Sequence, residues 1–353
     1  MKLLASAAIA ASLAFGAAAD IKEKKFDNPH PKADKPEKHI ADKHDFEHLF
    51  TGVDHYDVQE ARIRQGDEHA PARRNKAEID QTYSSEGLAQ IAQDGSRNGA
   101  WITQIDGGSY YFYDATNIAV VDQDGRKNFA DVTQKHIDYG YGYNETNLVE
   151  IHQVSSHYNY GPNYAEANQF GANNDILISQ DSTGYYGGYN TAIATQKGYG
   201  HSSNIEQNGT NNSANTFQSD ARNTSTVVQT GYGYENSAWV KQTGYRNNSM
   251  LSQDGEGNWA DVVQSGDRNM SVIDQEGYFN DAYVNQSGYR NLAKVGQEGA
   301  GNSAAVNQSS DYNTALVLQD GYDNEAYVDQ YYNDAQLAVV VQYGSANYAA
   351  INQ

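Results

Sequence analysis

Between Gln253 and Gln330, amide and small apolar side chains alternate with other residues at a spacing of two, in blocks that recur every 11 residues. Glutamine opens each block, at Gln253, Gln264, Gln275, Gln286, Gln297, Gln308, Gln319 and Gln330. Asparagine follows five residues later, at Asn258, Asn269, Asn280, Asn291, Asn302, Asn313 and Asn324. Alanine or serine comes two residues further on, then valine or isoleucine, then the next glutamine. A strand has a side-chain period of two, so these positions share one face. The intervening residues, such as Trp259, Asp261, Tyr283 and Lys294, fall on the other face. A glycine usually stands two places after each glutamine, where a tight turn needs its conformational freedom. The block Q-x-G-x-x-N-x-A-x-V-x-Q therefore predicts one strand of about seven residues and one tight turn.

One such strand cannot bury its Ala/Val stripe alone. Two blocks back to back make a 22-residue rung, with inner faces about 10 Å apart. Rungs then stack in parallel about 4.8 Å apart, placing Gln on Gln and Asn on Asn, and the stacked amides satisfy one another. The expected fold is all-β: a parallel two-sheet β-solenoid, amyloid-like, of about eleven rungs and roughly 50 Å in height. A helix is excluded by the spacing of two and by the recurrent glycines.

The repeats are read from Gly87 onward, with earlier landmarks at Gln93, Gln104, Gln123, Gln134, Gln153, Gln169, Gln180, Gln196, Gln207, Gln218, Gln229 and Gln242, and later ones at Gln342 and Gln353. Longer intervals read as turn insertions rich in glycine and tyrosine: Gly107 to Tyr113, Tyr139 to Tyr143, His157 to Tyr160 and Tyr185 to Tyr189. These are either tolerated loop growth or an aromatic surface for lateral contact or adhesion. Upstream, residues 1–19 read as a secretory signal peptide: Lys2, an apolar run from Leu3 to Phe15, and alanines at 17 to 19. Residues 20–86 are charged and broken by Pro29, Pro31, Pro36 and Pro71, and are expected to form a disordered segment. Three regions result: signal peptide 1–19, charged segment 20–86 and solenoid 87–353.

Composition narrows the chemistry. The formal net charge is −21, and from Gly87 onward 11 Lys/Arg stand against 29 Asp/Glu, which excludes a basic stripe for nucleic acid. The absence of cysteine excludes disulfides, thiolate metal sites and cysteine nucleophiles. No hydrolase elbow, zinc-protease or phosphate-loop motif occurs, so neither an enzyme nor a cofactor is expected. His44 and His48 stand four residues apart and could meet as metal ligands on a helix, against the plainer reading of a solvated tail.

The repeats resemble the curlin family, the subunits of curli amyloid fibres on bacterial surfaces. The shared features are N-x-A-x-x-x-Q strands and Q-x-G-x-x-N turns, and the run from Gln218 through Ser219, Asp220, Ala221 and Arg222 to Asn223 is a close match to a curlin turn. The resemblance implies an extracellular fibre subunit acting in cell adhesion and biofilm. It also implies a nucleator subunit and an outer-membrane export pore as partners, besides further copies of the chain. Asparagine mostly replaces the serine that opens one strand of each pair in that family, and the segment after the signal is longer and more charged. A secreted soluble solenoid that binds carbohydrate, or a minor nucleating subunit of the same fibre, is the alternative. The strand Asn347, Ala349, Ile351, Gln353 carries the ladder pattern to the last residue, and is expected to be the elongation edge of a head-to-tail homopolymer.

Overall fold

The structure is a computed structural model that describes residues 58–65, 74–82, 86–106, 115–137, 145–155, 161–182, 189–231, 233–331 and 335–353. The expected signal peptide, most of residues 20–86, the His44/His48 pair and all of the tyrosine-rich insertions except Tyr189 lie outside them. The described residues form strands and turns, with no helix among them.

One sheet holds β1 (Val58–Gln65), β3 (Glu86–Gln93), β5 (Ala115–Asp124), β7 (Glu145–Ser155), β9 (Asp175–Ser182), β11 (Ser202–Gly209), β13 (Thr224–Gly231), β15 (Asn248–Glu256), β17 (Met270–Tyr278), β19 (Leu292–Ala300), β21 (Thr314–Tyr322) and β23 (Leu337–Ser345). The other holds β2 (Lys76–Thr82), β4 (Gly99–Asp106), β6 (Asn128–His136), β8 (Asn163–Ala172), β10 (Thr191–Tyr199), β12 (Asn212–Ala221), β14 (Asn236–Gln242), β16 (Trp259–Gln264), β18 (Asp281–Gln286), β20 (Ser303–Gln308), β22 (Glu325–Gln330) and β24 (Tyr348–Asn352). Each sheet has 12 strands, and each strand pairs in parallel with the strand two ahead of it. The chain thus alternates between sheets, and each pair of strands is one rung of a parallel β-solenoid.

The alternation written in the sequence sets the burial. In β16, Ala260, Val262 and Gln264 are buried, while Trp259, Asp261 and Val263 face outward. Facing stripes of Ala, Val, Ile and Leu make one continuous narrow core along the column. Register is in step throughout: Ala260 pairs with Ala282, Val262 with Val284 and Gln264 with Gln286. A slip of one residue would turn every core side chain outward, so the register is strongly specified.

The turns are held by their own backbones. At Gly277, φ is 114°, and a Cβ there would lie 2.0 Å from the Gly299 carbonyl oxygen of the next rung. Glycine is required because the turns stack in contact. The residue before each asparagine from Asn247 to Asn324 is left-handed even where it carries a side chain, as at Arg246 (φ 58°) and Phe279 (φ 55°). Turns leading from an odd to an even strand form the first edge of the column, and those leading from an even to an odd strand form the second.

The solenoid starts earlier than the sequence reading placed it. β1 and β2 lie inside the segment expected to be disordered, and they pair in register with β3 and β4. Ala61, Ile63 and Gln65 align with Ala89, Ile91 and Gln93, and Ala77, Ile79 and Gln81 with Ala100, Ile102 and Gln104. Their core-facing positions follow the repeat. The charges that suggested disorder, Glu60, Arg62, Arg64, Glu78 and Asp80, occupy the alternate outward positions. The column therefore has twelve rungs where about eleven were expected.

Candidate functional site: stacked amide ladders

Two files of buried glutamines run the length of the column. In the odd sheet, the Nε2 of Gln253 donates to Oε1 of Gln275 at 2.9 Å, Gln275 to Gln297 at 2.9 Å and Gln297 to Gln319 at 2.9 Å. In the even sheet, Gln264 donates to Gln286 at 2.8 Å, Gln286 to Gln308 at 2.8 Å and Gln308 to Gln330 at 2.9 Å. Each amide also reaches a backbone carbonyl of the facing strand, as Gln275 does at Trp259 (2.9 Å) and Gln286 at Met270 (3.0 Å). A buried carboxamide would otherwise carry a large desolvation cost, and here its donors and its acceptor are matched.

The asparagines do a second job beside the stacking the repeat suggested. Besides any amide-on-amide contact they bond turn backbone: the Oδ1 of Asn258 accepts the backbone N–H of Asn280 at 3.1 Å, and its Nδ2 donates to the Gly277 carbonyl at 3.0 Å. Asn269 likewise accepts from the backbone N–H of Asn291 at 3.0 Å and donates to the carbonyls of Ser265 at 2.7 Å and Gly288 at 3.0 Å. Asn313 donates to the Ser310 hydroxyl and accepts from the backbone N–H of Gln336. Direct amide-to-amide contact also occurs along the column, where Asn147 donates to Asn117 at 3.1 Å, Asn163 to Asn128 at 3.1 Å, Asn236 to Asn212 at 3.1 Å, Asn302 to Asn280 at 3.1 Å and Asn324 to Asn302 at 2.9 Å. The tight turn leaves backbone groups without strand partners, and the asparagine next to it supplies them. Glutamine ladders thus tie strand to strand, and asparagines tie turn to turn.

Gln65 and Gln81 also belong to the ladders, through bonds to Gln93 (2.9 Å) and Gln104 (2.8 Å), although the sequence reading left them out. The signal was an A-x-I-x-Q string in both segments, obscured by charged neighbours and uneven spacing. His201 was also missed. It stands five residues after Gln196, in the asparagine position, where it is 1% exposed and its Nδ1 accepts the Asn223 N–H at 3.2 Å. Burial lowers its pKa and favours the neutral ring that this acceptor role needs.

At the C-terminal rung, Asn347 donates to Asn324 at 2.8 Å and Gln353 receives from Gln330 at 3.1 Å. Ala349 and Ile351 pack against the core while remaining partly accessible. Both glutamine ladders have one direction. Gln65 and Gln81 donate into the column at one end, while Gln342 and Gln353 receive at the other. Among the described residues, no cluster of His, Cys, Asp or Glu is arranged to hold a metal ion.

A parallel solenoid cored by single-residue amide ladders has a cross-β architecture. The curlin associated repeat matches the chain four times, at residues 233–266, 246–277, 280–309 and 299–331, and these matches support a curlin-family assignment. The matched stretch lies within a column whose rungs on both sides use the same ladders. No curated protein matches the chain. Fold and repeat family together point to a structural, non-enzymatic protein.

Proposed function

We propose that the chain is a structural subunit of extracellular curli-type amyloid fibres, acting in cell adhesion and the biofilm matrix. The observation that carries this reading is the one-directional pair of glutamine ladders in a column whose outermost strands, among the described residues, are paired on one side only. A second copy stacked on the last rung would continue both ladders and both sheets without a change of geometry. Subunits would then add head to tail, with the strand bearing Asn347, Ala349, Ile351 and Gln353 as the elongation edge and Gln253 through Gln330 in the fibre core. The partners are further copies of the chain, and, on the family resemblance, a nucleator subunit and an outer-membrane export pore reached through the periplasm.

Incubation of the purified chain tests the reading. Negative-stain microscopy should show unbranched fibres, and their diffraction should give reflections near ~4.8 Å and ~10 Å. A preparation that stays monodisperse by light scattering over the same period would overturn it.

A further inference from the structure

Over the rungs from Asn208 to Asp323 the two edges of the column differ in charge, the second mixing arginines with carboxylates and the first bearing carboxylates alone. On the second edge, four successive turns hold an arginine in the same place: Arg222, Arg246, Arg268 and Arg290. Each adopts φ of 57–58°, a conformation that glycine would hold at lower cost. Their guanidinium groups lie over tyrosine rings of the same edge, Arg246 at 4.9 Å from the Tyr245 centroid and Arg290 at 4.9 Å from that of Tyr289. Arg222 also donates to the Tyr245 hydroxyl at 2.8 Å. Among the described residues, no carboxylate forms an ion pair with any of the four arginines. Three acids stand on this edge over these rungs: Asp220 accepts the Gly244 N–H at 2.7 Å and Asp311 accepts the Tyr289 N–H at 2.9 Å, while Asp267 is exposed beside Arg268.

The first edge opposite these turns bears Glu235, Asp254, Glu256, Glu276, Glu298 and Asp320, and no Lys or Arg among its described residues from Asn208 to Asp323. Both edges repeat with the rung spacing, about 4.8 Å. A row of arginines and a row of carboxylates at identical spacing stay in step over the four rungs that carry them. A partner with a different repeat would lose that match within a few rungs. The edges of one column are a strand length apart, about 20 Å for six or seven residues. That exceeds the Debye length of about 10 Å at 0.1 M ionic strength, so the two edges do not neutralise each other, while charges in contact across an interface would still attract.

We infer that the Arg/Tyr edge is a lateral docking surface whose partner is the acidic edge of a second copy of this chain, so that fibres associate side by side, edge to edge. This inference rests on the fibre reading above. The half-buried Tyr245 and Tyr289 rings and the exposed Tyr312 contribute apolar contact area, and the arginines set the pairing and its polarity.

The test compares preformed fibres at about 0.1 M ionic strength, by low-speed pelleting and by bundle width in negative stain. The variant Arg222→Gln, Arg246→Gln, Arg268→Gln, Arg290→Gln should form single fibres normally and pellet several-fold less than the unsubstituted chain. A mixing experiment guards against an indirect effect. Fibres carrying Arg→Glu at these four positions should stay single, as should fibres carrying Asp254→Lys, Glu276→Lys, Glu298→Lys and Asp320→Lys. Mixing the two should restore bundling. If single fibres form but the four-Gln variant bundles like the original, or the mixture stays dispersed, the edge-to-edge inference is wrong and the fibre reading stands. If the unsubstituted chain forms no fibres, both fall. If heparin binds the original fibres and not the four-Gln variant while bundling is equal, the arginine row serves a polyanion and not a second copy.

Discussion

Asp261 shows how an outward position can still be poorly solvated. It sits on the outer face of β16, between Trp239 of the preceding rung and Tyr283 of the following one. Its Oδ1 is buried without a hydrogen-bond partner, and burial pushes its carboxyl from 3.8 up to about 6. An acid whose folded pKa is raised binds its proton more tightly when folded. The rung is therefore most stable below pH 3.8, and loses that stability as pH rises through about 6. Asp261→Asn removes the charge and keeps the shape. At pH 7 it should stabilise the rung by about 1 kcal/mol, after discounting for the exposed half of the side chain. Below pH 4 the two proteins should be alike. Amide hydrogen exchange across β14, β16 and β18 at both pH values measures this, and equal protection at pH 7 would contradict it.

At the scale of the strand, one glutamine serves two neighbours. Removing the Gln275 side chain takes from Gln253 its ladder acceptor, leaving its Nε2 only the carbonyls of Ser237 and Asn258, and leaves Oε1 of Gln297 without its donor. The orphaned buried acceptor costs about 1–3 kcal/mol and the lost ladder bond adds to it, so Gln275→Ala should weaken the rungs on both sides, not only its own. A solenoid is a stack of nearest-neighbour interfaces, which confines the damage. Faster exchange is expected in β15, β17 and β19, with β3 to β9 unchanged. Loss of protection along the whole column would mean that the rungs are coupled more widely than nearest neighbours. Gln275→Glu should be worse at neutral pH and partly recover in acid, because only the protonated carboxyl can donate along the ladder.

For the whole molecule, the question is which backbone groups an incoming copy would meet. The N–H of Glu325 in β22 donates forward, to Asn347, while the N–H of Gln353 donates backward, to Asp329. Tyr327 aligns with Ala350 and lies two residues from Glu325, so the Ala350 N–H points away from β22 by the same alternation. Val339 holds the matching position in β23, aligned with Leu316, two residues after Thr314, whose N–H donates forward to Gln336. Proline at Val339 and Ala350 would therefore remove outward donors while leaving the bonds to the preceding rung. The double variant should keep the strand content of the single chain and add to seeds at least about tenfold more slowly, a barrier change near 1.4 kcal/mol. An unchanged seeded growth rate would exclude this rung as the growing edge.

What could be read from the sequence was whatever repeats. The 11-residue spacing of Gln253 through Gln330 and the alternation within each block dictate parallel strands, two sheets and one amide-lined core, because any other register exposes the Ala/Val stripe. The reading stopped at Gly87 because it weighed composition over pattern. Glu60, Arg62 and Arg64 look disordered in sequence, yet they are merely the outward half of a strand whose other half pairs with β3. Other features exist only once rungs are stacked. Asparagine's bonds to turn backbone depend on how closely Gly277 and Gly299 approach, which no spacing records. The burial of Asp261 between Trp239 and Tyr283 arises between residues 22 apart in sequence. Arg222, Arg246, Arg268 and Arg290 are scattered charges along the chain, and become a continuous row because alternate turns fall on one edge. Local pattern determines which face a side chain takes. Only the stacking decides what lies above and below it, since those neighbours are set by the length of the turns and insertions between rungs.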